Sequence, residues 1–258
     1  MTRTAWLAIK EGPHYRRDAF LAGLQRLGFR VQRGAPTAPI ANDLLVTWNR
    51  YGPSHRAAQL FEQRGLPVIV VENGYLGVEL ASTPGRRWYA MALGHHNGAG
   101  RWPVGDGARW RQLHVELRAW RTGGDEIVAL PQRGIGPPGV AMPVQWVRTA
   151  AKIGRVRQHP GQRESVPLER DLARARAVVT WGSGAALKAL AWGIPAFYAL
   201  PTWIGAPAAR PLARMDLGPV RDDAARLAMF ERLAWAQANL EEIGAGDAIS
   251  RLLELHKA

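Results

Sequence analysis

Residues Ala175 to Pro201 read ARAVVTWGSGAALKALAWGIPAFYALP, and this stretch decides the fold. Val178 and Val179, flanked by Ala177 and Thr180, form a short apolar, β-branched run, and Trp181-Gly182-Ser183-Gly184 follows as a tight turn. Ser183 is placed to cap a helix over Ala185 to Trp192, which Gly193 stops before Ile194-Pro195 opens a second apolar run, Ala196 to Leu200. Strand, turn, helix and strand make one βαβ unit of a parallel sheet, with the turn at the carboxyl edge. A helix amino terminus there offers N–H groups and a positive dipole end to an anion such as a phosphate. A tight turn with no ligand is equally compatible with these residues, because the full dinucleotide fingerprint is absent.

The alternation continues upstream. Glu126 to Leu130 (EIVAL) predicts a strand, followed by the loop Pro131 to Gly139 (PQRGIGPPG), a helix over Val144 to Ile153, a strand over Arg155 to Gln158, His159-Pro160-Gly161, and a helix over Leu168 to Ala175. Three loops then converge on one sheet edge: Gln132 to Gly136, Arg157 to Pro160, and Trp181 to Gly184. Arg133, Gly134, Gly136, His159, Ser183 and Gly184 together are suited to an anion, and Trp181 to stacking on a base.

The first half has the same rhythm. Thr4 to Ile9 predicts a strand, Asp18 to Leu27 a helix with Phe20, Leu21, Leu24 and Leu27 on one face and Gly28 at its end, and Phe29-Arg30-Val31 the next strand. Asp43 to Trp48, a helix over His55 to Arg64, and Pro67 to Val71 repeat it, and the last of these strands runs into Glu72-Asn73-Gly74-Tyr75. A carboxylate at a strand's carboxyl end, facing a phosphate site on another domain, is placed to take a proton from a hydroxyl, which makes Glu72 a candidate base. A capping or salt-bridging role is the alternative for it. His14, Asp18 and His96 are reserve candidates; adjacent His95 and His96 diverge too much to be expected as metal ligands.

From Pro84 to Arg121 the alternation fails. Seven arginines face two acids here, interleaved with Trp88, Tyr89, Trp102, Trp110 and Trp120. Arg86, Arg87, Arg101, Trp102, Arg109, Trp110 and Arg111 are thus candidates for a nucleic-acid strand, arginines pairing with phosphates and rings stacking on bases. The competing reading is that the tryptophans fill a groove between domains. The C-terminal segment, Asp222 to Leu255, has Leu227, Phe230, Leu233, Ala234, Trp235 and Leu240 at helical spacing and is expected to form helices broken at Gly244-Ala245-Gly246.

The expected architecture is therefore α/β: two Rossmann-like domains facing across a cleft, with C-terminal helices. The first, acceptor-binding, spans 1–121 with its basic and aromatic insert at 84–121; the second, 122–258, carries the anion site and the terminal helices.

Bulk composition bounds the rest. The 258 residues carry a formal charge of +13, and only four of the 34 basic residues are lysine. Codon bias can choose arginine over lysine but does not create an excess over 21 acids, so a polyanionic partner is expected, nucleic acid or an anionic surface. With no cysteine, disulfides and thiolate metal sites are excluded. No run approaches a membrane span and no leader pattern opens the chain, so a soluble cytoplasmic protein without membrane insertion is expected. No Asp-x-Asp pair occurs, so a nucleotide diphosphate would be held by arginine, histidine and helix dipoles, with no metal and no cofactor.

The two-domain plan, Arg157-Gln158-His159-Pro160 and Val178 to Pro195 together resemble the GT-B glycosyltransferases, and within them the capsule and lipopolysaccharide Kdo-transferase type. Val70 to Leu76 (VVENGYL) is similar to that group's Glu-Asp-Gly stretch. The overall pattern, with DLLVTWNR, VVENGYLG, LGHHNGAG, PQRGIG and LAWAQANLEEI, is also similar to bacteriophage glycosyltransferase-like proteins, some of which glycosylate hydroxymethylated pyrimidines in DNA. The resemblance implies transfer of a sugar from a nucleotide-sugar, such as a UDP-sugar, to a hydroxyl. The acceptor it implies is a 5-hydroxymethylated base in phage DNA, modified in the host cytoplasm, or alternatively a surface glycan; a non-catalytic DNA-binding protein on the same scaffold is the third reading. Two departures stand out. Lys188 replaces the acid with which the Kdo type holds a ribose, and it takes that acid's place among the donor-site candidates. Asn73 replaces the Asp of the Glu-Asp-Gly stretch, which leaves Glu72 as the base.

Overall fold

A computed structural model describes residues 3–76, 88–96, 99–132, 134, 136, 139–157 and 166–257. The chain runs β1 (Thr4–Ala8), α1 (Arg17–Arg26), β2 (Arg30–Arg33), β3 (Leu44–Trp48), α2 (Pro53–Glu62), β4 (Val68–Asn73), β5 (Trp88–Leu93) and α3 (Ala108–Leu113). It continues through β6 (Glu126–Leu130), α4 (Trp146–Ala151), β7 (Arg155–Val156), α5 (Leu168–Asp171), β8 (Ala175–Thr180), α6 (Gly184–Ala191), β9 (Ala196–Tyr198) and β10 (Arg210–Pro211). It closes with α7 (Asp223–Trp235), β11 (Gln237–Asn239), α8 (Leu240–Ala245) and α9 (Asp247–Lys257).

Two sheets result. The first has the order β11-β5-β4-β3-β1-β2, the second β10-β9-β8-β6-β7. The second is parallel throughout. In the first, β1 to β4 are parallel while β5 runs antiparallel to β4 and β11 antiparallel to β5. Helices cover both faces, as a parallel sheet with apolar strands requires. The expected α/β architecture of two Rossmann-like units is what the chain adopts.

Local rules explain most helix ends. Gly28 and Gly65, each with positive φ, close α1 and α2. Pro53 occupies the first position of α2, where no N–H is needed. Asp222 caps α7, and Asn239 with Glu242 forms a capping box on α8. The main core spans both sheets, joining Leu44, Val46 and Val71 of the first to Val128, Leu130 and Val178 of the second, with Trp110 and Phe230 in the same cluster.

Two elements differ from expectation. The stretch 88–93, expected within an irregular basic insert, is the fully buried strand β5. It shows no polar alternation because both of its faces are covered, so nothing in its sequence has a period of two. The C-terminal helices were expected with the second sheet, but β11 joins the first, and α8 packs on α1. Gln237 fixes that return: its Oε1 accepts from the backbone N–H of Leu76 at 3.1 Å. Gly23 allows the close helix approach, since a Cβ there would lie 2.0 Å from the Ile243 carbonyl oxygen. Among the described residues no helix is long and apolar enough to cross a membrane.

Candidate active site

In each sheet the strand order reverses beside one strand, and ligands of open α/β sheets bind outside the carboxyl ends at such points. In the second sheet the reversal places the loops after β6 and β8 side by side. Thr180 joins them: its buried hydroxyl donates to the Leu130 carbonyl at 3.1 Å and accepts from the Ser183 N–H at 2.8 Å. The Trp181 indole N–H donates to the Val140 carbonyl at 2.9 Å, so this ring is pinned against the first loop. Ser183 caps α6, its hydroxyl accepting from the Ala185 N–H at 3.2 Å. Gly182 is required by packing, since a Cβ would meet the Leu200 side chain at 2.8 Å. Over Gly184, in contrast, a Cβ would meet nothing within 4 Å, so the helix start faces open space. Gly134 and Gly136 both hold positive φ in the facing loop. Burial pulls the Lys188 ammonium below its ordinary value. Arg133 and His159 lie outside the described residues.

In the first sheet the reversal falls between β1 and β3. His14 follows β1, and its ring meets Tyr15 and Trp48 edge-on at 5.1 and 5.5 Å between centroids. The Tyr89 hydroxyl donates to the His14 carbonyl at 2.8 Å, which holds this loop to β5. Glu72 stands at the carboxyl end of β4, opposite Ala90 of β5, and its Oε1 accepts from the Tyr75 hydroxyl at 2.9 Å. Gly74 lets the chain turn here, because a Cβ would sit 2.8 Å from the Trp88 carbonyl oxygen.

Glu72 and His14 thus share the carboxyl edge of the first sheet, whereas two other candidates stand apart from that role. Asp18 pairs with Arg16 at the exposed start of α1, and the Arg16 hydrogen bond holds its carboxyl below the usual range, which weakens it as a base. His96 lies at the opposite, amino edge: β5 is antiparallel, Leu93 stands beside Ile69, and the Gly94 N–H donates to the Val68 carbonyl at 2.8 Å. It is buried there, stacked on His95 at 4.7 Å.

The basic and aromatic candidates divide. The Arg109 guanidinium, only 11% exposed, pairs with Glu242 and also donates to the Ala234 and Gln237 carbonyls. Trp110 is buried against Phe230, 5.2 Å between centroids, and Trp102 is buried under the Arg232 guanidinium. These three hold α3, α7 and α8 together instead of facing a nucleic-acid strand. Arg101 and Arg111 are exposed. Arg86 and Arg87 lie outside the described residues. Thr180 and Tyr75 escaped sequence reasoning; a Thr ending a strand before a Gly-Ser-Gly turn is a usable signal for the first, but nothing local marks the second.

No protein-family model and no curated protein sequence matches the chain. Among solved structures, the β-Kdo 2,4 transferase of Thermosulfurimonas dismutans KpsC aligns at a TM-score of 0.54 and 13% identity, covering 95% of this chain and 99% of that one. The β-Kdo 2,7 transferase of the same protein aligns at 0.49 and 12%, covering 96% and 99%. At this identity the likeness to the first concerns fold alone, and it spans nearly all of this chain and of that one.

Proposed function

We propose that the chain is a glycosyltransferase that moves a sugar from a nucleotide-sugar to a hydroxyl acceptor. The observation that carries the proposal is an open, Ser183-capped helix start at the switch point of the second sheet, together with a carboxylate, Glu72, at the carboxyl edge of the first, one strand beyond its switch point. On this reading Glu72 takes the proton of the acceptor hydroxyl as its oxygen bonds to the anomeric carbon. The bond from that carbon to the phosphate oxygen breaks, and its electron pair leaves with the nucleotide. The charge gathering on the phosphate is met by the amino end of α6, by Lys188, and by Arg133 and His159 of the neighbouring loops. Trp181, with its N–H already engaged, offers a ring face to the nucleobase. The proposal includes catalysis without a metal, because the sequence has no Asp-x-Asp pair.

The acceptor reading that the geometry supports best is a glycan, since Arg109, Trp102 and Trp110 are committed to internal packing. A hydroxymethylated pyrimidine in DNA is the second reading, favoured by the +13 charge. The test is incubation with a panel of nucleotide-sugars against saccharide acceptors and against DNA containing hydroxymethylcytosine or hydroxymethyluracil, with product masses measured at rising salt. Transfer to saccharides with little salt dependence is the expected result. Transfer confined to modified DNA and collapsing with salt would replace the first acceptor reading by the second. DNA binding without turnover on any pair would leave only a binding protein.

A further inference from the structure

Five cations gather at the amino edge of the first sheet, the edge remote from Glu72 and His14. Arg3 precedes β1 and Arg30 opens β2, and the Arg30 N–H donates to the Arg3 carbonyl at 2.9 Å. Arg26 lies in the last turn of α1. Arg64 follows α2, which ends at this edge, since the Leu45 N–H donates to the Pro67 carbonyl at 3.1 Å. Lys257 ends α9 and is brought here by His256, whose Nε2 stands 3.1 Å from the Gly65 carbonyl oxygen. All five are exposed, and among the described residues none pairs with a carboxylate; the Arg3 guanidinium rests on the Phe29 ring. The described carboxylates at this end are Asp43, Glu62, Asp247 and Glu254. Arg50 holds Glu62, and Asp43 is buried, accepting from the Trp6 indole N–H at 3.1 Å. Only Asp247 and Glu254 of α9 then stand exposed against the five cations, and the edge is positive.

At this edge the chain also builds a turn that holds an isoleucine in solvent. The Asp43 N–H donates to the Ile40 carbonyl at 3.1 Å, the Ile40 N–H donates back to the Asp43 carboxylate at 3.0 Å, and Asn42 completes the turn with a φ of 68°. Asp43 directly precedes β3, whose Leu44 is opposite Ala5 of β1, while Thr4 is opposite Arg30 of β2. The turn therefore stands on the strand next to Arg3 and two strands from Arg30. Ile40 is 66% exposed on it. A single exposed apolar side chain is ordinary. One fixed on a hydrogen-bonded turn, with unpaired arginines beside it, has the composition of an interfacial anchor: an apolar group enters the acyl boundary while cations meet anionic headgroups. Nucleic acid would use the same cations, but a lone aliphatic side chain offers its bases no stacking face, and they would lie at the edge opposite to Glu72. A bilayer at this edge leaves the carboxyl edge of the sheet free.

We propose that the amino edge of the first sheet docks on an anionic phospholipid bilayer, with Ile40 entering the interface and Arg3, Arg26, Arg30, Arg64 and Lys257 meeting the headgroups. This docking does not depend on the transferase reading. The chain has no cysteine, so Ile40→Cys and Tyr51→Cys can each carry a single polarity-sensitive dye. Tyr51, 67% exposed, follows β3 at the carboxyl edge and reports the opposite side. The full chain is mixed with vesicles of phosphatidylcholine alone and with vesicles containing about one third phosphatidylglycerol, and binding is read by flotation and by dye emission. Binding only to the phosphatidylglycerol vesicles is expected, with a blue shift from the dye at position 40 and none at position 51, and with release at high salt. Arg3→Glu, Arg30→Glu and Arg64→Glu combined should weaken binding by about 100-fold or more, at about five-fold for each arginine lost. Ile40→Asp should weaken it by about ten-fold. A thermal melt confirms that the variants fold; should the triple variant not fold, Ile40→Asp and the two dyes still decide. No binding to phosphatidylglycerol vesicles, equal binding to phosphatidylcholine alone, or a blue shift at position 51 without one at position 40 would overturn the proposal. So would a triple variant that loses duplex DNA while keeping its vesicles, which would make this edge a nucleic-acid face.

Discussion

Glu72 is the residue on which the proposed chemistry turns, and its surroundings define what a substitution should do. It ends a strand at the sheet edge and its carboxylate takes a hydrogen bond from Tyr75. Glu72→Gln keeps the shape and an acceptor for that hydroxyl but removes the basic oxygen. Transfer should fall by about 10² to 10⁴ in kcat, with the melting temperature nearly unchanged, and both are measurable on one preparation. His14, packed edge-on against two rings, is held more by its neighbours than by any proton it carries, and His14→Asn should be the milder change. On the second sheet, Ser183→Ala removes the cap of α6 and should destabilise the fold by about 1 kcal/mol, whereas Ser183→Gly should cost only a few tenths. Denaturant titration of the two variants checks this order. The site was legible in the sequence where a residue's role is local. Ser183 as a cap and Glu72 at a strand end follow from spacing alone. Whether His96 lies beside Glu72 depends on the direction of one strand, and a single strand's residues do not encode its direction.

At the scale of elements, the 84–121 stretch shows how composition misleads. Arginine and tryptophan mixed in one segment fit a nucleic-acid surface and a domain joint equally well, because a guanidinium satisfies backbone carbonyls as readily as phosphates. Arg109 takes the second role. Arg109→Ala would take one of two arginines from the Glu242 carboxylate, leaving it Arg251 and the Asn239 N–H, and would leave two carbonyls without their donor in a half-buried joint, so it should destabilise by about 1 to 3 kcal/mol. Arg101→Ala and Arg111→Ala, at exposed positions, should stay within about 0.5 kcal/mol of the parent. If DNA is the acceptor, these two should instead weaken its binding uniformly across sequences and lower the salt slope by about 1 each. Calorimetry together with a salt-dependent binding assay distinguishes the outcomes. The βα alternation from β1 to β4 and from β6 to β9 was readable because most of its strands are bounded apolar runs, while the arginine-bearing edge strands β2 and β7 could be placed only by their position in that rhythm. β11 was not, because three residues inside a helical apolar pattern carry no period of their own; the capping box at Asn239 and Glu242 was the signal available.

For the molecule as a whole, buried titratable groups set its response to acid. Burial pushes the His95 imidazole below its ordinary value despite a hydrogen bond to the His96 backbone, and burial likewise lowers His55 beside Arg50. Both are therefore held neutral in the fold, and the unfolded chain binds protons more readily. The stability they lend is full above the unfolded value of about 6.5 and is lost as the pH falls through the lower folded values. Burial, the largest single influence, would raise the Glu242 carboxyl, but the Arg109 hydrogen bond and charge, the Asn239 N–H and the Arg251 charge together outweigh it and hold the group below its usual range. That contribution is present above about pH 4.3 and disappears on further acidification. Melting temperature should thus decline in two stages, the first between about pH 7 and about pH 5, and His95→Gln should flatten that first stage in a thermal scan across pH.

The return of the chain to its first sheet matters before the protein is ever finished. Leu76 bonds to a side chain 161 residues further on, so during vectorial synthesis β5 waits with an unpaired edge while the entire second sheet emerges from the ribosome. The first sheet, although its other strands are translated earlier, is complete only when β11 arrives. Shortening the chain before β11 would then leave more than a trimmed tail. It would leave β5 with an open, adhesive edge, the kind that pairs with another copy of the same strand.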